Sequence, residues 1–71
     1  MTPKYEIFIH WSPVDEVFIA EVPDLPGCMA HGKTPIIAVQ NANEAIQLWL
    51  DTAHEFGDPI PQPRSWQLLP A

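Results

Sequence analysis

A chain of 71 residues holds one small domain, and 1–71 is read as a single unit. Nine acidic residues against three basic ones give a net charge of −6, and Lys4, Lys33 and Arg64 are scattered. That balance argues against a grip on nucleic-acid phosphates and suits a basic protein partner. The single cysteine, Cys28, can form no internal disulfide and no cysteine-based zinc site, and one core of this size supplies only about 3–5 kcal/mol, so self-association is expected.

"YEIFIHW" sets Tyr5, Ile7, Ile9 and Trp11 against Glu6, Phe8 and His10, a period of two that predicts a strand over 5–11. "SPVDE" is a turn, and "VFIAEV", 17–22, a second strand paired to the first as a hairpin. Apolar side chains fall on both faces, so one face would take a helix and the other could take a partner. Pro23, Pro26 and Gly27 then fix a tight turn that Asp24 can brace. Leu25 sits at its tip between two prolines, either a preorganised recognition point or a residue buried against its own domain.

A short strand is expected over Cys28 to His31. Thr34 and Pro35 announce a helix, without a full capping box because Ile37 stands at the third helical position. Ala38, Ala42, Ala45, Trp49, Ala53 and Phe56 recur at helical spacing, small residues first and aromatic ones later. This predicts close approach to the sheet at the N-terminal end and a largely buried Trp49. Gly57 is placed to cap the helix. "DPIPQPR" reads as extended polyproline-like chain, and "SWQLLPA" as one more short edge strand limited by Pro70. The fold class is α+β: a three- to four-stranded antiparallel sheet with one helix packed on a face, order β-β-β-α-β.

The chemistry-bearing residues do not assemble into a site by spacing. Cys28 and His31 are three apart on an extended segment and project to opposite faces, against a nucleophilic dyad. Glu6 with Glu44 or Asp51 could begin a metal-nuclease set, but "RSWQLLPA" brings no third carboxylate. No catalytic residue, metal ligand or cofactor is therefore expected. "MTPKYEIFIHW" lacks the pattern of a signal peptide, and the longest apolar run, "IIAV", is far short of a membrane span. With a lone thiol, this predicts a cytoplasmic protein that binds no membrane.

"Y-x-I-x-I-x-W", "F-I-A-E-V-P-D-L-P-G-C-x-A-x-G-x-T", "A-V-x-N-A-x-E-A-I-x-L-W-L" and "G-x-P-I-P-x-P" follow one another from Tyr5 to Pro63. In this order they resemble the HicB family of antitoxins. The resemblance implies a partial ribonuclease-H-like fold and inhibition rather than catalysis. It also implies a partner, a small basic HicA-type toxin that cleaves mRNA. Asp24, Leu25 and Pro26 are the candidate partner-binding residues. Many family members carry a further DNA-binding domain; with the sequence ending at Ala71, direct operator binding is not expected. Ile36 and Ile37 stand where relatives usually have acidic residues. Ile36 on this ground, and Phe8 and Phe18 as apolar residues on the two faces of the first two strands, are the candidate interface of a homo-oligomer, most simply a two-fold dimer. The runner-up readings are a metal-dependent ribonuclease-H-like nuclease and an oligomeric scaffold with no toxin.

Overall fold

Side-chain alternation and one capped amphipathic run produce four elements. In the computed structural model, which describes residues 5–61, β1 is Phe8–Ser12, β2 Val17–Glu21, β3 Met29–Gly32 and the helix α1 Pro35–Phe56. The strands form one antiparallel sheet in the order β1-β2-β3. This is the expected α+β arrangement; the further strand read from "SWQLLPA" lies outside the described residues.

Register assigns the faces. Ile9 pairs with Ala20, Trp11 with Phe18, Ala20 with Ala30 and Phe18 with Gly32, so these residues share the face on which α1 lies, chiefly over β2 and β3. Phe8, Glu21 and Met29 form a row across the opposite face, followed by His10, Ile19 and His31. No element among the described residues covers that second face. The ladder begins at Phe8 rather than Tyr5. Tyr5 is buried, and its hydroxyl donates to the carbonyl of Pro61, so 5–7 meets the chain leaving α1 before β1 begins.

The helix starts and stops where its chemistry dictates. Thr34 is extended (φ −129°, ψ 159°) and its Oγ1 accepts from the Ile37 N–H at 3.1 Å, with Pro35 in the first turn. Gly57 takes φ 70°; its N–H donates to the His54 carbonyl at 3.2 Å and the Asp58 N–H to that of Ala53 at 2.8 Å, which satisfies two terminal carbonyls.

The core divides along the helix. Ala38 and Ala42 press on Ala20 near the start, whereas Ile46 packs with Tyr5, Val22, Leu25 and Cys28 farther on. Small residues therefore mark the close approach, as their order along the sequence predicts. Two expectations need correction. Ile46, not Trp49, is the large helix residue fully inside, at 1% exposure, while Trp49 is half-buried. Phe56 is 72% exposed. A helix of 22 residues spans about 33 Å, against about 17 Å for a five-residue strand. It overruns the strands, and Phe56 stands beyond them, with no described strand beneath it.

The β1–β2 turn holds a strained residue. The Glu16 N–H donates to the Ser12 carbonyl at 2.7 Å, and Glu16 sits at φ 56°, in the left-handed region. A residue with a Cβ pays about 1–2 kcal/mol there, whereas glycine is permitted. Glu16→Gly is expected to stabilise the fold by about 1 kcal/mol after the loss of glycine's chain entropy, raising the melting temperature by about 4–8 °C. A lower melting temperature for this variant would contradict the turn geometry.

Candidate functional site

The stretch from Val22 to Cys28 carries most of the residues that attract attention in the sequence, and here the chain folds on itself. The Leu25 N–H donates to the Val22 carbonyl at 3.1 Å, the Cys28 N–H to Leu25 at 2.9 Å and the Val22 N–H to Cys28 at 3.0 Å. Gly27 turns the corner at φ 77°. Trp49 fastens the turn to the helix: its indole Nε1–H donates to the Pro26 carbonyl at 2.9 Å.

Leu25 does not present an apolar tip to a partner. It is 0% exposed and packs among Tyr5, Val22, Cys28 and Ile46, filling space where α1 projects past the sheet. Of the three expected partner-binding residues, Pro26 is exposed and Asp24 half-buried, while Leu25 belongs to the core. Burial pushes the Tyr5 hydroxyl above its ordinary pKa, and the nearby Asp24 charge adds to the effect.

Cys28 is buried and His31 exposed, so the two are not a dyad. Burial raises the Cys28 thiol above its ordinary value of 9.0. In the unfolded chain this thiol ionises first; the unfolded state then binds fewer protons, and stability falls as pH rises. The midpoint of urea unfolding is therefore expected to drop above pH 9.0. The drop should be smaller in Cys28→Ala, with Tyr5 contributing at still higher pH. In the native protein the thiol should react slowly with a disulfide reagent and quickly once urea is added. Fast native labelling would show that the turn does not close over Cys28.

Glu44 and Asp51 lie exposed on the outer side of α1, where Asp51 accepts from Gln47 Nε2 at 3.0 Å. Glu6 precedes β1 on the sheet side. Among the described residues, no three His, Cys, Asp or Glu side chains come together in a way that could hold a metal ion. On the uncovered sheet face His10 Nε2 lies 2.9 Å from Glu21 Oε2, an exposed pair.

The three expected interface residues occupy separate places. Phe8 is on the uncovered sheet face at 55% exposure. Phe18 lies on the helix side, half-buried, with Trp11 edge-on to its ring at a centroid distance of 5.0 Å. Ile36 is exposed in the first helical turn. They form no single patch.

One surface feature escaped the sequence reading. A cleft of about 690 Å³ runs between the 26–29 segment and the C-terminal half of α1, with Met29 and Leu48 at its margins, Trp49 and Ala53 in its floor and Pro59 at one end. Leu48 was its available signal: an apolar residue standing off the alanine–isoleucine stripe.

These features define a small acidic α+β domain, with a sheet covered on one face and an apolar cleft beside the helix. The sequence model of the HicB-like antitoxins of bacterial toxin–antitoxin systems matches residues 5–70, and the chain belongs to that family. It is also 34% identical over 59 residues to UPF0150 protein Ta0767 of Thermoplasma acidophilum, a match that spans 83% of this chain and 84% of that one. The resemblance carried by the "VPDLPGC" stretch and its flanks is thus correct. No helix among the described residues is long and apolar enough to cross a membrane.

Proposed function

We propose that this protein is the antitoxin of a pair, binding a small basic HicA-type mRNA-cleaving toxin and neutralising it without catalysing a reaction itself. Membership of the HicB-like family over residues 5–70 carries the reading. The charge supports it: all nine carboxylates lie among the described residues, where Lys33 is the single Lys or Arg. Such a field steers a cationic protein toward the surface and repels nucleic acid, so RNA is the toxin's substrate and not a ligand of this chain. Asp24 and Pro26 are offered as contacts on the turn, and the cytoplasm as the compartment, where mRNA is the target. The protein acts as a homo-oligomer, most simply a dimer, for which the uncovered face with Phe8 and Met29 supplies apolar area.

The test is co-expression with a small basic HicA-type protein, sought first in the reading frames beside this gene. The two products are expected to co-purify, and RNA cleavage by the isolated toxin to fall to background when this protein is added in equimolar amount. Undiminished cleavage in the presence of excess protein would overturn the proposal.

A further inference from the structure

We propose that the cleft between the 26–29 segment and α1 receives a cationic amphipathic segment of the protein partner; this rests on the antitoxin reading and assigns it a docking surface. The floor is apolar, formed by Ala45, Trp49 and Ala53, and no described residue roofs it. Leu48 is 68% exposed on the helical wall, and Met29 is exposed on the opposite one. A volume of about 690 Å³ is room for two or three large side chains.

Charge selects the occupant. Leu48 and Thr52 form the helical wall, and a helix turns about 100° per residue, which places Glu44, Asp51 and Glu55 one step outside that wall. Asp58 closes the end. Asp51 and Glu55 lie in the C-terminal half of the helix and Asp58 just past its end, whereas the first turn has no acidic residue and the last turn only His54 as a basic one. The helix dipole disfavours Glu55 and Asp58 at that end, and cations brought by a partner relieve it. A segment with large apolar residues on one side and Lys or Arg on its flanks satisfies both floor and rim. A second copy of this chain, equally acidic, places like charges against the rim.

The surface is already rigid. The Pro26 carbonyl is held by the Trp49 indole, and Leu25 anchors the turn from below, so docking orders little that is not ordered beforehand.

The experiment uses the full chain labelled with ¹⁵N and two synthetic probes: an amphipathic helical peptide with Leu on one face and Lys on its flanks, and its twin with Glu in place of Lys. The Lys peptide is expected to shift the Trp49 indole N–H and the amides of Met29, Leu48 and Thr52, with an affinity that falls as salt is raised; the Glu peptide should shift nothing. Leu48→Arg, at an exposed position that leaves the fold intact, should weaken the Lys peptide about tenfold. Val14→Arg, in the exposed β1–β2 turn, should leave it unchanged. Equal binding of both peptides, no binding of either, or shifts confined to Phe8 and Ile19 would overturn the proposal. So would movement of the Trp49 indole on dilution, the mark of a second copy in the cleft. Its movement in a Trp66→Ala variant without peptide, the mark of the chain's own 62–71 segment, would do the same. If a HicA-type toxin co-purifies equally well with wild type and Leu48→Arg, the cleft fails and the antitoxin reading stands. If the Lys peptide binds the cleft and no toxin binds, the antitoxin reading fails and the cleft stands as the site of another cationic protein.

Discussion

Leu25→Ala is expected to leave this protein largely unfolded at room temperature. Leu25 is 0% exposed and one of the two largest side chains wholly inside the fold, Ile46 being the other. Truncating a buried leucine costs about 2–5 kcal/mol, the transfer of the lost atoms plus the cavity they leave. A core of this size supplies about 3–5 kcal/mol in all. The site cannot collapse to absorb the cavity, because three main-chain hydrogen bonds within 22–28 fix the turn around it. Circular dichroism and a urea titration are the measurements, with Ile46→Val as a graded control that should cost only about 0.5–1.5 kcal/mol. If Leu25 were instead a docking point for the partner, Leu25→Ala would keep its melting temperature and lose only the partner. That combination of results would reverse the inward placement of the residue.

The same residue shows where sequence reading stops. The parity of Ile7, Ile9 and Trp11 against Phe8 and His10 was legible because a strand has a fixed period, and the register preserves it. Thr34, Pro35 and Gly57 marked the helix ends because capping is local chemistry. The gradient from alanine to larger side chains even foretold the closer contact at the start of α1. The inward turn of Leu25 was not legible, since it follows from a helix longer than the strands beneath it, a mismatch that exists only once the elements are packed. The exposure of Phe56 has that same cause. The cleft went unseen for a related reason: its two walls come from segments that are far apart in the chain, and only Leu48 broke the helical pattern. Glu16 gave no signal at all, because left-handed positions are usually announced by glycine or asparagine.

The close approach at the other end of the helix supports the second large effect. Gly32 lies on the helix side of β3, two residues before the cap. A Cβ built there would stand 2.5 Å from the backbone N of Ala38, 2.8 Å from the carbonyl carbon of Ile37 and 2.7 Å from Ile37 Cγ2. Two of these atoms are main chain and cannot rotate away. Gly32→Ala must therefore lift the first turn of α1 off the sheet. That strains the Thr34 cap and the bond by which Asn41 Nδ2 holds the His31 carbonyl at 2.8 Å. Overpacking of this kind costs about 1–3 kcal/mol and more where backbone must move, which again approaches the whole stability of the domain. The melting temperature should fall by about 4–8 °C for each kcal/mol lost, with a loss of helical signal. A double variant, Gly32→Ala with Ile37→Ala, removes the Cγ2 contact but neither backbone contact. It should recover only a minor part of the loss, and the thermodynamic cycle reads that part directly. Full recovery would mean that the side chain of Ile37 alone sets the spacing. An unchanged melting temperature in the single variant would mean that α1 does not rest on β3, and the alanine-first reading of the helix would fall with it.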